Sequence, residues 1–464
     1  MITLRPYQDS LIEAARVSFR RGKRSPLLVS PVGSGKTVCF AYFASRVAER
    51  GKRTFILAHR DELLDQISQT LVAFNVRHSF IAQGRFYNPC LRTQVCSVFS
   101  LARRVTHMQA PDIIVIDEAH HAIKGSSWSN VFEAFKKSLK IGVTATPERL
   151  SGEGLDDTFD DLILGPSVRE LIDLGSLCDY RIFAPSTIDT SKIHTRMGDF
   201  NKTELAAASD KPTITGDAIK EYERLANGKR AIVFCVSIEH AKHVAGQFAA
   251  AGHKALSIDG KLNREVRRDI VRDFREGKIN VLTSCDIISE GFDLPAIEVA
   301  IMLRPTQSLA LWIQQTGRAL RPHPGKEYAI ILDHAGNCQK HGLPDEPREW
   351  SLKGRSSNDD GKGGTGSSVR VCARCFAAQR PGRPSCAFCG FLFKVTPREV
   401  EHVAGELVEV DAKMVSRQRA KEQGMADSLE ALIALGRQRK YKNPTAWAYF
   451  IMRSRGFKKM EAKV

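Results

Sequence analysis

No uninterrupted apolar run approaches the roughly 18 residues a membrane-spanning helix needs, so no span is expected. The opening residues, Met1-Ile2-Thr3-Leu4-Arg5-Pro6-Tyr7-Gln8, lack the apolar core of a signal peptide, and a cytoplasmic location is the expectation. Acidic residues are also short. Fifty-two Asp and Glu face 69 Lys and Arg, for a formal charge of +17 and a pI near 9.4. That balance favours a polyanionic partner, since each neutralised phosphate releases a counterion. Nor do the 11 cysteines read as a disulfide framework. Seven of them (Cys39, Cys90, Cys96, Cys178, Cys235, Cys285, Cys338) are scattered among apolar or mixed neighbours, as small core residues are. The other four cluster at Cys372, Cys375, Cys386 and Cys389, which suits a reducing compartment and one metal site.

The chain has 464 residues, enough for two or three domains with sizeable cores. Its most informative stretch is Ser30-Pro31-Val32-Gly33-Ser34-Gly35-Lys36-Thr37, which follows the apolar run Leu27-Leu28-Val29 and precedes a helix-forming segment, 38–50. Strand, glycine turn and helix start together let backbone N–H groups wrap a phosphate whose charge the helix dipole favours. Gly33, Ser34 and Gly35 supply the loop, Lys36 would reach the β- and γ-phosphates, and the Thr37 hydroxyl would hold Mg²⁺. Ser30 stands where the strict template has glycine.

Further on, Asp112-Ile113-Ile114-Val115-Ile116 runs into Asp117-Glu118-Ala119-His120. Continuous Ile and Val mark a parallel strand buried on both faces, and its carboxyl end is where such sheets place ligands. Asp117 would bind the Mg²⁺ that Thr37 holds, and Glu118 would orient or deprotonate the attacking water. Strands are also expected at 53–58, 94–99 and 141–143, the last ending in Thr144-Ala145-Thr146-Pro147 beside the two carboxylates. The segment from His59 and Arg60 to Gln66 opens a helix with acidic residues in its first turn.

These ordered motifs resemble those of superfamily 2 helicases of the DEAH type, close to restriction-enzyme subunits and phage DNA helicases, over about residues 1–345. The resemblance implies two tandem RecA-like lobes. It implies that Gln8 contacts adenine, that His59, Arg60, Thr144 and Thr146 lie on the nucleic-acid side, the first two touching its backbone, and that Thr144 to Thr146 couples hydrolysis to movement. His120 joins the catalytic set through the same motif. In the second half, strands at 231–236, 255–258 and 280–283 alternate with helices at 238–251 and 264–275, without a phosphate loop. There Ser289-Glu290-Gly291-Phe292-Asp293-Leu294-Pro295 resembles a motif whose glycine lies near the nucleic-acid backbone and whose aspartate approaches the ribose. Gln314-Gln315-Thr316-Gly317-Arg318-Ala319-Leu320-Arg321 resembles the arginine motif that faces the first lobe's nucleotide. Spacing at i, i+3 would put Arg318 and Arg321 on one helical face.

Residues 354–368 read as a flexible linker by their Gly and Ser content. Two Cys-x-x-Cys knuckles follow, ten residues apart, and four thiolates so arranged suit a closed, structural Zn²⁺ site resembling small zinc ribbons. Residues 411–464 carry 13 Lys and Arg against 5 Asp and Glu, with Tyr441, Trp447, Tyr449, Phe450 and Phe457 interleaved. Such a tail either stacks on a nucleic-acid strand or forms a small helical domain with a basic face.

The expected architecture is therefore α/β: two RecA-like lobes (1–185 and 213–348) joined by a connector (186–212), then a linker (349–370), a zinc ribbon (371–395) and a basic, mainly helical tail (396–464). The expected activity is ATP-dependent DNA helicase or translocase, with ATP, Mg²⁺ and structural Zn²⁺. RNA is the alternative substrate, and a non-catalytic nucleic-acid clamp the alternative class. Strand separation and tracking along duplex both remain open.

Overall fold

The computed structural model describes residues 3–184, 195–196, 199–200, 212–285, 297–354, 369–393, 421–439, 441 and 443–454. Most of the expected connector, 186–212, lies outside these residues. So does the whole of the motif at 289–295, including Gly291 and Asp293.

Seven parallel strands build the first sheet: β1 (Pro26–Val29), β2 (Thr54–Ala58), β3 (His78–Ile81), β4 (Thr93–Ser97), β5 (Ile113–Asp117), β6 (Leu139–Thr144) and β7 (Asp161–Leu164). Their order is β3-β4-β2-β5-β6-β1-β7. Burial explains the unbroken apolar run in β5. Val115 packs with Ile56 and Val143 on one face, while Ile114 and Ile116 pack with Phe55 and Leu57 on the other. Each such side chain contributes about 1.5–3 kcal/mol, so a polar residue on either face would be costly. Because the strands are parallel, the ends of β5, β6 and β1 lie side by side on one rim, with Asp117 in register with Val143 and Val29 with Thr144.

The second sheet runs β12-β13-β11-β14-β15-β8-β17-β16. It comprises β8 (Asp179–Phe183), β11 (Ala231–Phe234), β12 (Ala255–Ile258), β13 (Val281–Ser284), β14 (Val299–Met302), β15 (Tyr328–Asp333), β16 (Arg370–Val371) and β17 (Ala377–Gln379). A separate two-stranded antiparallel ribbon joins β9 (Thr195–Arg196) and β10 (Asp199–Phe200). The first six strands of the second sheet are parallel and the last two antiparallel, so the sheet is mixed.

Three differences from the sequence reading concern boundaries. Strand β8, placed by sequence in the first lobe, pairs with β15 of the second. The expected linker begins as packed chain: Leu352 O accepts from Leu155 N (2.6 Å) and Asp156 N (3.1 Å), and Gly354 bridges to Glu153 of the first lobe. The strand expected over 94–99 stops at Ser97, and Val98 and Phe99 begin a short helix, Val98–Ala102.

Residues 395–464 form a separate compact unit. In it the helices Leu429–Gln438 and Pro444–Ser454 enclose Leu432, Ala448 and Ile451, with Trp447 against them and 5.0 Å from Tyr441. Trp447 thus serves a helical core, while Tyr449 is exposed. Phe457 and the side chain of Phe450 lie outside the described residues.

Candidate functional site

The turn after β1 requires glycine on two counts. Gly33 and Gly35 have φ of +86° and +82°, which side chains disfavour. A Cβ at Gly35 would also lie 2.5 Å from Gln8 Nε2, and one at Gly33 would lie 2.9 Å from Leu177 Cδ2 and 3.2 Å from Arg321 Cγ. Ser30 continues the sheet by donating its amide to Thr144 O, and its hydroxyl donates to Ser34 Oγ (2.8 Å). Gln8 is buried and donates to Ser34 O (3.1 Å), as Tyr7 OH does (2.8 Å). Gln8 therefore braces the loop from behind, and Arg5 is the residue of this segment that lines the cleft.

The cleft itself is about 340 Å³. Gly33, Gly35, Lys36, Thr37, Asp117 and Glu118 line it from the first lobe, and Arg318 and Arg321 from the second. A larger hollow of about 780 Å³ involves none of these residues and lies among Tyr42, Phe74, Arg77 and their neighbours. Burial lowers the Lys36 pKa, opposed by Glu118 and Asp117 and reinforced by Arg318 and Arg321. The Lys36 ammonium meanwhile donates to the carbonyls of Ser30 (3.2 Å) and Pro31 (3.3 Å). Burial, with the Glu118 charge adjacent, pushes Asp117 up to about 7. A divalent cation is what such a carboxylate lacks, and a polyphosphate is what three converging cations lack. The donor set thus fits a metal–nucleotide complex, in which Lys36 and the loop amides would hold the phosphates and Thr37 and Asp117 the metal.

Glu118 takes left-handed backbone (φ +48°, ψ +57°), a conformation that costs a non-glycine residue about 1–3 kcal/mol. Its Oε2 is buried without a hydrogen bond, 3.5 Å from His120 Nδ1. A carboxylate held this way has a lone pair left for a hydrogen bond from the cleft.

Behind the cleft a hydrogen-bonded chain crosses between lobes. Thr144 Oγ1 meets His120 Nδ1 (2.9 Å) and donates to Thr146 O (2.9 Å), while Gln314 Nε2 from the second lobe approaches His120 Nε2 (3.1 Å). Thr144 and Thr146 have no exposed surface. Expected to touch nucleic acid, they are instead interior links of this chain. The rings of His120, His121 and His59 pack in sequence, tilted by 42° and 47° with centroids 4.2 Å and 4.0 Å apart, and Arg60 Nε donates to His59 Nε2 (3.2 Å). Half-buried His59 and Arg60 therefore lie at the outer end of a side-chain column that reaches His120 beside Glu118.

The helix Leu309–Ala319 brings the arginines. Ser308 caps it by accepting from Leu311 N, and every residue in it is buried, including Gln314 and Arg318. Arg321 lies beyond the helix, after its C-cap Leu320, yet still faces the cleft with Arg318. Contact between the lobes is tight here, because a Cβ on Gly317 would sit 2.7 Å from Val32 Cβ. The second-lobe helix Arg264–Arg275 adds ion pairs to the first: Arg267 to Glu62 (2.7 Å) and Arg268 to Asp65 (3.0 Å).

The four clustered cysteines meet as the spacing requires. Their sulfurs all lie within 4.8 Å of one another, with Cys372–Cys389 at 3.6 Å and Cys375–Cys386 at 3.7 Å. Tetrahedral Zn–S bonds of about 2.3 Å would place sulfurs about 3.8 Å apart, so the donor set fits zinc. The ribbon is docked on the second lobe. β17 pairs with β8, Phe183 packs against Cys372 and Ala377, and Arg380 reaches buried Asp345 (3.0 Å).

Residues 1–149 match the type III restriction enzyme res subunit, and residues 214–323 the helicase conserved C-terminal domain. A 51.5 kDa protein of Lactococcus phage (isolate 7-9) is 34% identical over 397 residues, covering 85% of this chain and 83% of that protein. The chain belongs to the superfamily 2 helicases. Saccharomyces cerevisiae IRC3, by name an ATP-dependent helicase, is 29% identical over 72% of this helicase and 51% of its own length. The EcoAI endonuclease subunit of an Escherichia coli type I restriction enzyme is 24% identical over 71% and 46% respectively. The helicase thus spans about half of each of those two relatives. Among solved structures, a fragment of a Vibrio vulnificus type I restriction HsdR subunit shares the fold with a TM-score of 0.57 at 22% identity, covering 74% of this chain and 67% of that one. Membership implies ATP and a divalent metal as cofactors.

Sequence reasoning missed Arg5, Ser176 and His121 at this site, and quoted Gln314 only within the arginine motif, without its link to His120. The doubled histidine after Asp117-Glu118 was a visible signal for His121. The others are brought in by chain folding alone.

Proposed function

We propose that this helicase is a DNA-stimulated ATPase that converts lobe closure into movement along a strand. The observation that carries the reading is the shared cleft: Lys36, Thr37, Asp117 and Glu118 come from one lobe and Arg318 and Arg321 from the other. A γ-phosphate between these groups favours the closed cleft, and its loss on hydrolysis removes the preference. Each binding event therefore does mechanical work if both lobes grip the same backbone. Asp117 and Thr37 would hold the metal, Lys36 the β- and γ-phosphates, Glu118 the attacking water, and the arginines the charge that develops on the transferred group. Gly291 and Asp293 are proposed to contact backbone and ribose by motif, and His59 and Arg60 to contact the strand.

DNA is favoured because the restriction-subunit relatives are DNA enzymes by type, and one structural neighbour, the restriction-modification enzyme LlaBIII, is bound to DNA (TM-score 0.51). RNA has its own support in the likeness to yeast Dbp5 bound to RNA (TM-score 0.51). The test is phosphate release with no polymer, with single-stranded DNA and with RNA, run beside strand displacement on duplexes with either overhang. Stimulation by DNA that vanishes in Lys36→Ala supports the reading. Background-level release by both proteins, with binding retained, would make the chain a clamp.

A further inference from the structure

The zinc ribbon holds side chains that its own fold does not use. Residues 369–393 contain four arginines and no acidic residue. Two of the arginines are engaged: Arg380 pairs with Asp345, and the Arg370 guanidinium lies 4.3 Å above the Phe393 ring. Arg374 and Arg383 are exposed. The aromatics divide in the same way. Phe391 and Phe393 pack on the ribbon's small core, while Phe376 and Phe388 are 42% and 43% exposed.

The two knuckles make the choice of residues pointed. Cys372-Ala373-Arg374-Cys375-Phe376 and Cys386-Ala387-Phe388-Cys389-Gly390 are the same turn twice: Phe376 N donates to Cys372 O (2.9 Å) and Gly390 N to Cys386 O (3.0 Å). The residue after the second cysteine is left-handed in both, with φ of +60° at Phe376 and +70° at Gly390. Glycine adopts that backbone freely, and an aromatic residue does not. The chain thus keeps a bulky ring, half in solvent, at the one knuckle position where its twin has glycine. Strain at an exposed residue that adds nothing to the core points to use by a ligand.

We propose that Arg374, Phe376, Phe388 and Arg383 form a binding face for single-stranded nucleic acid, with bases stacking on the two rings and phosphates meeting the two guanidinium groups. The face adjoins β8 of the second lobe, since Ala184 N donates to Phe376 O (3.0 Å) and Phe388 lies 5.8 Å from the Arg181 guanidinium. Strand held here is therefore held by the lobe that carries Arg318 and Arg321. This rests on the nucleic-acid reading above and locates one contact it leaves unassigned.

The test uses the full chain and fluorescence anisotropy with labelled dT and rU oligonucleotides. The variants are Phe376→Gly with Phe388→Ala, and Arg374→Ala with Arg383→Ala. Phe376→Gly suits the backbone better than the native residue, so zinc content and melting temperature should hold or rise, which separates binding from folding. Each ring lost should weaken binding at least about fivefold. The arginine pair should lower the slope of log affinity against log salt by about 1.4. Wild-type affinity in folded, zinc-loaded variants overturns the assignment, including the case in which the face serves a protein instead. A wild-type chain that binds neither oligonucleotide fails the underlying reading instead.

Discussion

Gly35 and Gly336 both start a helix from left-handed backbone, with φ of 82° and 67°, shortly after a buried strand of their own lobe. What lies beyond them differs. In the second lobe, Asp333 at the end of β15 turns back and accepts from Cys338 N at 2.7 Å, so the chain's own carboxylate fills the helix N-terminus. In the first lobe, the acidic residues stand across the cleft, at the end of β5, and Lys36 faces them. One corner is closed by the protein, and the other leaves its anion site to a ligand. A strand–glycine–helix turn is thus a phosphate site only where no internal acid has taken the position.

The largest expected effect comes from emptying the second lobe's side of the cleft. Arg318→Ala with Arg321→Ala should slow phosphate release by about 10³–10⁵, and a loss under tenfold would detach the second lobe from chemistry. Glu118→Gln keeps shape and removes the base. Hydrolysis should fall about 10²–10⁴ while a fluorescent ATP analogue still binds, and loss of binding as well would make Glu118 structural. Gln314→Leu cuts the chain that links His120 to the second lobe, and stimulation by nucleic acid should drop at least about fivefold.

The smallest effect falls on the closed corner. Burial raises the Asp333 pKa, against the amides of Cys338, Asn337 and Ala335 that lower it. A raised acid penalises the folded state when ionised, so stability is lost above the folded pKa and regained as pH falls toward the unfolded value of about 3.9. Asp333→Asn keeps an acceptor for Cys338 N. It should melt at or above the wild-type temperature at neutral pH and lack the wild-type gain on acidification. A lower melting temperature at pH 7 would show that the charge itself is needed.

The local chemistry of this molecule was legible in its residues. The run from Ile113 to Glu118 announced a two-sided strand ending in carboxylates, and the helix over 264–275 begins and ends where periodicity put it. Sheet membership was not legible. Nothing in Asp179–Phe183 says that it pairs with β15, because a short strand of mixed polarity fits any sheet that offers a half-buried place. Contacts between distant positions were hidden for the same reason: Gln314 and His120 are 194 residues apart, and Leu352 returns to Leu155. The left-handed backbone at Phe376 also escaped, since only comparison with Gly390 in the folded knuckles exposes it.

That return of Leu352 sets how the cleft can move. The polypeptide leaves the first lobe after β7, enters the second at β8, and comes back at 352–354, so the lobes are joined at two separate places. A single joint would allow the halves to drift and twist. A pair leaves rotation about the line between the joints as the free movement, so an opening of the cleft would part Lys36 from the facing arginines without shifting their register.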